Sequence, residues 1–482
     1  MNRVVLVINN SSWFGKRAFR TWLPAVPIIT ALIKDLCDFS VLDANVNGWD
    51  FGQTLGALRQ TDADVVLISA LSVDYQIQYH KLAEIAKAAL PGCTTLMGGV
   101  YPSSLPHWVL EDRNVDYVMQ GHAEDRLPDI LRAILSGDDA FLAVRPGLGM
   151  TWQGKRIFTP LKTFQYQAKT IVKPDYSLLD IEKYFELQSQ YSAKNYSTEC
   201  AEKRSVNIIA SYGCPYNCFF CANRSLSGSH VVYRPVDDVL DEIDYFVREH
   251  QVKQVSFMDD NIVSDKVRAT DLFSKILERK YDLETQIGNL AAWDLDDNLL
   301  RLLRDAGCSR IGISVESGSQ RVLREIMHKP LDLSIIPPII QKCKMLGIMV
   351  VADFIIGLPG ETWDEIRSSF SFADAMGADL CNINIAVPYP GTDLYAYMVE
   401  HAMLPDDFAF DERFFITGLV KTDEFTPAEL KILAAFEWER INASTPEKRA
   451  RAQKVLRLTD DEFAEYCYQM RQGAVRFVKN YG

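Results

Sequence analysis

Short apolar runs alternate with helical patterns over the first 140 residues. The runs contain few charges, as expected of strands that are buried in a parallel sheet. Helical patterns at 28–36 and 79–90 lie between them. This βαβα rhythm predicts a doubly wound, Rossmann-like α/β domain over residues 1–140, which would bind ligands at the carboxyl ends of its strands. The predicted strands are residues 4–8, 39–42, 64–69, 94–97 and 116–119.

A second series of apolar runs and helical patterns begins at Val206. Six βα units over about 190 residues predict a partial (β/α)6 TIM-type barrel at 201–395, because a full barrel needs eight units. Residues 141–200 lack the rhythm and are predicted to be a connector with a hairpin-like stretch, and 396–482 read as a mostly helical C-terminal region. The predicted barrel strands are residues 207–211, 254–258, 284–288, 310–315, 349–356 and 380–386.

Composition and charge exclude several classes of protein. The chain has 482 residues, 48% hydrophobic and 24% charged, which is a folded rather than a disordered composition. The net charge of −13 argues against a nucleic-acid partner, because phosphate binding needs a basic surface. No apolar run reaches the roughly 18 residues of a membrane span, and the N-terminus MNRVVLVINN lacks a signal-peptide pattern. We therefore expect a cytoplasmic protein.

The strongest chemical signal is the segment SYGCPYNCFFCANR, which spaces Cys214, Cys218 and Cys221 as C-x3-C-x2-C after a predicted strand. Three thiolates on one loop can converge on a soft metal centre. In a four-iron cluster, three protein ligands leave one iron open for a substrate. The alternative is a structural zinc site with a distant fourth ligand, for which His230 is the nearest candidate. Zinc sites usually pair two such cysteine motifs, and this chain has one.

At these residues the sequence resembles the radical S-adenosylmethionine (SAM) superfamily. The cysteine spacing, Phe220 before the last cysteine and the following βα barrel all match. The resemblance implies a [4Fe-4S] cluster on the three cysteines, with SAM bound beside it. The other seven cysteines are scattered singly and are predicted to be core thiols.

Three further segments occur in the order that this family has. Asp259, Asp260 and Asn261 resemble the loop that holds the SAM amino group. Ser314, Glu316 and Ser317 resemble the segment that contacts its ribose and carboxylate. Gly357 belongs to a segment similar to the adenine-side strand and turn, although Asp353 stands where that motif has its first glycine. The alternative for the acidic residues is a solvated strand end.

The predicted N-terminal domain carries Ser69-Ala70-Leu71 and Gly98-Gly99 at two strand ends, with residues 72–97 between them. This resembles the S-x-L and G-G pair of cobalamin-binding domains. There the serine lies by the nucleotide tail, and glycines allow close backbone approach. Gly121, after the last strand, is then expected to face the corrin.

The D-x-H-x-x-G motif, whose histidine ligates cobalt in many such domains, is absent. The resemblance therefore implies cobalamin without a histidine below the metal. His80, His107 and His122 lie outside any such motif. The alternative is a degenerate domain that serves as a scaffold and binds no cofactor.

The combined order resembles the cobalamin-binding-domain radical SAM enzymes, which include the class B methyltransferases, over roughly residues 1–390. The resemblance implies that a 5′-deoxyadenosyl radical abstracts hydrogen from a carbon of a small molecule, and that methylcobalamin then delivers a methyl group. An external electron donor such as flavodoxin or ferredoxin is implied. Alternatives are a cyclase or ring-rearranging enzyme of the same family and a cobalamin or iron–sulfur sensor without catalysis. A methylthiotransferase would need three more convergent cysteines in the first domain.

The sequence does not identify the substrate. We expect it to enter on the open side of the barrel, beside a loop at 388–392. Aromatic residues of the C-terminal region are candidates for the wall of that space. They are Phe408, Phe410, Phe414, Phe415, Trp438 and Tyr466.

Overall fold

The computed structural model describes residues 2–16, 19–161, 171–190, 204–223, 227–228, 230–405, 408, 410, 414 and 419–481. The chain divides into two compact units. The first comprises Met1–Gln190 with Ser211–Gly213 and Asn223–Asp238, and the second comprises Tyr191–Ala210, Cys214–Ala222 and Val239–Gly482. No helix among the described residues is long and apolar enough to cross a membrane.

The first unit contains a seven-stranded sheet in the order β2-β1-β3-β4-β5-β6-β7. Its first five strands are parallel, as the βαβα rhythm predicts. The last two form an antiparallel hairpin that pairs with β5, so the sheet continues past residue 140 into the predicted connector. The strands are β1 (Arg3–Ile8), β2 (Asp38–Asp43), β3 (Val65–Ser69), β4 (Thr94–Gly98), β5 (Tyr117–Met119), β6 (Leu148–Trp152) and β7 (Lys155–Thr159).

Helices of the first unit connect these strands and cover their apolar side chains. Every residue of β3 is buried, as expected of a central parallel strand. The last helix, within the predicted connector, is attached to the sheet where the Tyr184 hydroxyl donates to Asp43 Oδ2 at 2.6 Å. The helices are α1 (Ala25–Ile33), α2 (Phe51–Thr61), α3 (Gln76–Ala89), α4 (Val100–Ser104), α5 (Pro106–Val109), α6 (Leu127–Ser136), α7 (Asp139–Ala143) and α8 (Ile181–Gln190).

The second unit contains a six-stranded sheet in the order β15-β14-β13-β12-β11-β8, with all neighbours parallel. Each barrel strand pairs with the next barrel strand along the chain. This is the arrangement of an open (β/α)6 barrel and confirms the prediction. The short strands β9 (Ser211–Tyr212) and β10 (Val232–Tyr233) pair with each other in the first unit. The barrel strands are β8 (Ser205–Ile208), β11 (Gln254–Phe257), β12 (Glu284–Leu290), β13 (Cys308–Glu316), β14 (Met349–Ile356) and β15 (Leu380–Ile385).

The helices that follow the barrel strands present apolar faces to the sheet. One helix of the C-terminal region, α15 (Pro427–Ala443), is fixed to β15 by Asn442. The Asn442 side chain accepts from the Cys381 N–H and donates to the Cys381 carbonyl, both at 2.8 Å. The helices are α9 (Val236–His250), α10 (Lys266–Arg279), α11 (Asp297–Asp305), α12 (Ile336–Leu346), α13 (Trp363–Ala375), α14 (Asp393–Glu400), α15 (Pro427–Ala443), α16 (Pro446–Leu456) and α17 (Asp460–Tyr481).

Candidate functional site

The three cysteines of the C-x3-C-x2-C array lie on one loop of the second unit, which we call the cysteine loop (214–222). Cys214 and Cys218 are half-buried and Cys221 is exposed. The Cys221 N–H donates to the Cys218 carbonyl at 3.0 Å, so one tight turn holds the last two thiols. The described residues contain no group of three His, Cys, Asp or Glu side chains around a single metal ion. Each thiolate of an iron–sulfur cluster binds a separate iron, so three thiols that do not converge on one point still fit a cluster, whereas a zinc ion needs its ligands around a single centre.

Hydrogen bonds from distant parts of the chain hold the cysteine loop in place. The Phe219 N–H donates to the Met327 carbonyl at 3.0 Å, and the Leu394 N–H donates to the Phe219 carbonyl at 3.0 Å. The Tyr216 hydroxyl contacts both carboxylate oxygens of Asp294 at 3.0 Å. The loop is therefore positioned by the protein itself, which suits a site that must receive a preformed cluster.

A buried ion pair lies beside the cysteine loop. Lys329 Nζ is 3.5 Å from Glu316 Oε1, and their side chains are only 6% and 8% exposed. The same ammonium lies over the ring of Trp293. Burial raises the pKa of Cys214 to about 11, and Lys329 opposes that rise for both Cys214 and Cys218. Lys329 therefore places a positive charge where thiolates must form.

Lys329 is not among the site residues that the sequence predicts. A lone lysine before a proline gives no sequence signal, and its burial depends on the fold. A buried lysine needs a counter-charge, and the acidic residue predicted to contact SAM supplies it.

The end of the second sheet opens into a cavity of about 990 Å³. Of the residues predicted to contact SAM, Phe220, Ser314 and Glu316 line it. The Ser314 hydroxyl donates to the Asn289 side chain, which is also in the wall. The structure therefore brings the cysteine loop and the end of β13 to one space. Further polar residues of the wall are Asp353, Asn384, Tyr389, Lys431, Tyr466 and Gln469.

The predicted SAM-ammonium loop does not line this cavity. Asp259 is buried and accepts from the Ala210 N–H at 3.1 Å. Asn261 is buried and donates to Asp294 at 2.8 Å. Both side chains bind neighbouring loops of the same sheet end, and Asp260 is exposed. The solvated-strand-end alternative is thus wrong for Asp259 and Glu316, which are 4% and 6% exposed.

Ser317 and Gly357 shape the surroundings of the cavity rather than its wall. The buried Ser317 hydroxyl accepts from the Ser319 N–H at 3.1 Å and lies 3.2 Å from that of Ser369. Gly357 has a φ of +88°, and a Cβ there would lie 2.5 Å from Leu430 Cδ1 on α15. Both positions therefore have a packing role, and their SAM contacts stay a prediction.

Asp353 replaces the first glycine of the adenine-side motif, and its carboxylate lines the cavity. It accepts from the Asn382 side chain at 2.9 Å, and burial raises its pKa. The sequence analysis noted the departure from the motif, but the strand register was needed to show that the side chain points into the site.

The aromatic residues of the C-terminal region divide into two groups. Tyr466 lines the cavity, together with Tyr389 of the predicted active-site loop. Trp438 is buried in a core cluster of the same unit. Phe408, Phe410 and Phe414 pack against one another, with ring centroids 5.1–5.5 Å apart. Phe415 lies outside the described residues.

In the first unit, the two motifs that resemble a cobalamin-binding domain lie side by side. Ser69 is directly opposite Gly98 in the register of β3 and β4, and the Ala70 N–H donates to the Gly98 carbonyl at 2.8 Å. Gly99 has a φ of +109°, and a Cβ there would lie 2.5 Å from the Ala70 carbonyl oxygen. Leu71 is 39% exposed at the same strand end.

The two glycines at this strand end have different surroundings. Gly98 has room for a side chain, whereas Gly99 packs directly against the Ala70 backbone. A Cβ at Gly98 would make ordinary van der Waals contact with Met119 at 3.7 Å, so the protein itself would tolerate a small side chain there. The Gly121 N–H donates to the Ser103 hydroxyl at 2.8 Å, which fixes the loop after β5. A buried serine, a bare backbone and an exposed leucine together form a cradle at this strand end, and its contact with the nucleotide tail of cobalamin stays a prediction.

The histidines beside this cradle are engaged elsewhere. Both ring nitrogens of His80 have partners, Asp112 Oδ2 at 2.7 Å and the Tyr101 hydroxyl at 2.8 Å. His122 bonds the Ser227 hydroxyl at 3.1 Å, and burial lowers its pKa to about 4. Neither is free to bind cobalt without breaking these contacts.

Two family models match separate parts of the chain. The B12 binding domain matches residues 23–131, and the radical SAM superfamily matches residues 208–373. These ranges contain the cradle and the cysteine loop, respectively.

Curated relatives span most of the chain. It is 26% identical over 423 residues to the cytidylyl-2-hydroxyethylphosphonate methyltransferase of Streptomyces wedmorensis, covering 81% of this chain and 78% of that protein. It is 24% identical over 440 residues to the anaerobic magnesium-protoporphyrin IX monomethyl ester cyclase of Rubrivivax gelatinosus, covering 89% and 75%.

Solved structures share the fold over the same length. The radical SAM methyltransferase TsrM from Kitasatospora setae, with cobalamin and a [4Fe-4S] cluster bound, has a TM-score of 0.70 at 18% identity and covers 89% of this chain and 84% of that one. The cobalamin-dependent radical enzyme OxsB, with aqua-cobalamin and SAM bound, also has a TM-score of 0.70, at 16% identity, with 99% and 72% covered. With both family models matched in this order, the chain belongs to the radical SAM enzymes that carry an N-terminal cobalamin-binding domain.

Proposed function

We propose that this protein is a cobalamin-dependent radical SAM methyltransferase that acts on a carbon centre of a small molecule. The observation that carries the proposal is the cavity at the end of the second sheet, whose wall joins the residue before Cys221 to Ser314 and Glu316. Methyltransferases among its relatives and structural neighbours support the reaction type. When bound, the cluster and SAM supply an organic radical that abstracts hydrogen, and cobalamin supplies the methyl group.

The residues of this chain have distinct tasks in that reaction. Cys214, Cys218 and Cys221 would hold the cluster, and Phe220, Ser314 and Glu316 would bind and orient SAM. Ser69 and Gly98 would admit the nucleotide tail of cobalamin. An external one-electron donor such as flavodoxin or ferredoxin is part of the proposal.

The proposal includes a partner class and a location. Cavity dimensions of about 990 Å³ suit a small molecule bound beside SAM, and the charge of −13 argues against nucleic acid. None of the nine cysteines described in the structure forms a disulfide, and a reducing, cytoplasmic environment is part of the proposal.

The test uses anaerobically reconstituted protein and strong reductant without any added substrate. We expect about four irons per chain and SAM cleavage to methionine and 5′-deoxyadenosine, both lost in the triple variant Cys214→Ala, Cys218→Ala, Cys221→Ala. The matched control is Cys343→Ser, which changes a buried core thiol of the same unit. SAM cleavage retained by the triple variant would refute the radical SAM assignment.

Methyl transfer has its own substrate-free readout. With methyl-labelled SAM, label should be recovered in the protein-bound corrinoid. If the protein is purified with cobalamin available and contains none, the cobalamin part of the proposal is refuted, and a cobalamin-free radical SAM enzyme is the remaining interpretation.

Cyclisation is the second candidate, favoured by the cyclase relative. It predicts SAM cleavage that depends on the true substrate, with no label in the product.

A further inference from the structure

One wall of the cavity carries a lysine whose role the proposed reaction does not account for. Lys431, on α15, lines the cavity and is half-buried. In the described part of the chain no carboxylate lies within ion-pair distance of it, and burial alone lowers its pKa. An ammonium that is partly removed from water and has no counter-charge costs free energy, and an anionic ligand would relieve that cost.

The residues around Lys431 leave room for that ligand. Ala434 and Ala435 on the same helix line the cavity, as does Gly473 on α17. A Cβ at Gly473 would have no atom within 4 Å, so the space beside it is open. Tyr466 and Gln469 add polar side chains to the same wall. The lysine therefore faces a volume bordered by small residues and hydrogen-bonding groups.

The wall of the cavity contains two carboxylates and a lysine on different elements. Glu316 and Asp353 lie at the end formed by the barrel strands, and Lys431 lies in the wall formed by α15 and α17. Neither carboxylate is within 4 Å of Lys431. Glu316 pairs with Lys329, and Asp353 accepts from Asn382. Lys431 is therefore the cation of this wall that an anionic group could pair with, because the charge of Glu316 is already balanced by Lys329.

The helix that carries Lys431 is held at two points. Leu430, the preceding residue, is fully buried and packs on the backbone at Gly357. Asn442, three turns later, makes two hydrogen bonds to the Cys381 backbone. The Cα atom from which the Lys431 side chain extends is therefore held in place, which reduces the part of the entropic cost of binding that comes from the backbone.

We propose that Lys431 binds an anionic group of the substrate, a carboxylate, phosphate or phosphonate, and so turns the rest of the molecule toward Phe220 and the barrel strands. This inference names the substrate class of the proposed reaction. It rests on the proposed function, because the anion is a substrate only if the protein catalyses that reaction. The anion site itself can be tested without turnover.

The test measures how fast reductive methylation modifies Lys431 in the full-length reconstituted protein, read by mass spectrometry. The probes are benzoate, phenylphosphonate and the neutral benzamide, which share one ring and differ in charge. We expect at least one anion to slow modification of Lys431 by about tenfold and benzamide to leave it unchanged. The exposed Lys454 on α16, in the same reaction, should react equally in all three. Comparing the two anions distinguishes a carboxylate site from a phosphonate site.

Binding of the better anion by calorimetry provides the second measurement. Lys431→Met should weaken it about tenfold, Lys431→Arg should retain it, and Lys454→Met should not change it. Equal protection by benzamide, equal protection of Lys454, or no protection by either anion would overturn the proposal. SAM cleavage is assayed on the same preparation. Its absence would refute the proposed function and leave the anion result standing.

Discussion

Glu316 ends β13 with a φ of +72°, a backbone conformation that costs a non-glycine residue about 1 kcal/mol or more. That geometry turns the carboxylate into the cavity, where it pairs with Lys329. The sequence motif predicted an acidic residue that serves SAM. The structure adds that the same residue neutralises a buried lysine, so binding and stability are linked at this position.

Glu316→Gln should therefore lower both SAM affinity and stability. Removing one partner of a buried ion pair leaves the other charge uncompensated, at a cost of about 3–5 kcal/mol. Adding Lys329→Met should restore most of the free energy of unfolding, measured by urea denaturation of the apo protein. SAM affinity, measured by calorimetry, should stay low in the double variant. Normal SAM affinity in Glu316→Gln would reduce this residue to a purely structural role.

Two adjacent glycines in the first unit should respond differently to alanine. Gly99→Ala places a Cβ against the Ala70 carbonyl at a positive φ, so we expect a loss of about 1–3 kcal/mol in unfolding free energy. Gly98→Ala has room in the protein and should fold normally, but it narrows the space beside Ser69 and should reduce cobalamin retention. The measurements are urea unfolding and the corrinoid absorbance of purified protein. Equal retention in Gly98→Ala and wild type would remove Gly98 from the site.

At the scale of elements, the turn after β14 is held by one buried carboxylate. Glu361 Oε2 accepts from the Gly357 N–H at 2.7 Å and the Leu358 N–H at 3.2 Å. Burial raises its pKa from 4.5 to about 7, although these hydrogen bonds oppose the rise. The Leu430 side chain of α15 packs against the backbone of Gly357. The turn therefore connects the end of β14 to α15.

This pKa gives a pH dependence with a definite sign. A folded-state pKa above the unfolded value means that the folded protein holds the extra proton between about pH 4.5 and 7. Stability from this group is complete below that window and is lost as the pH rises through it, by about 3 kcal/mol. Glu361→Gln should flatten that part of the profile, measured by urea unfolding from pH 4.5 to 8. An unchanged slope in the variant would show that Glu361 is ionised throughout.

Sequence patterns predicted elements well and side-chain partners poorly, for a physical reason. Strand β14 was predicted with its observed ends, since an apolar run and a turn define it locally. Lys329 and Lys431 were missed, because their environments arise from residues far away in the chain. Asp259 and Asn261 lie in the motif as predicted, yet tertiary packing directs both side chains to neighbouring loops.

At the scale of the whole molecule, two units with separate sheets would hold two different metal chemistries. In the first unit, the ring nitrogens of His80 bind Asp112 and Tyr101, and His122 binds Ser227. We therefore expect the Co(II) form to show no hyperfine splitting from a histidine nitrogen in electron paramagnetic resonance. His80→Ala and His122→Ala should leave the cobalt spectrum unchanged, whatever their effect on stability. Splitting that disappears in either variant would identify that histidine as a ligand.

The contacts that hold the cysteine loop also determine when it can be completed during synthesis. Phe219 is tied to Met327 and Leu394, which the ribosome adds long after the three cysteines. The sheet of the first unit, by contrast, is complete at Thr159, before any of these cysteines is made. The Asp294 contact to Tyr216 becomes available first, the Met327 contact follows, and the full set of anchors exists only once residue 394 has emerged. We therefore expect a chain truncated before α14 to retain less iron after reconstitution than the full chain, because the Leu394 anchor of the cysteine loop is missing.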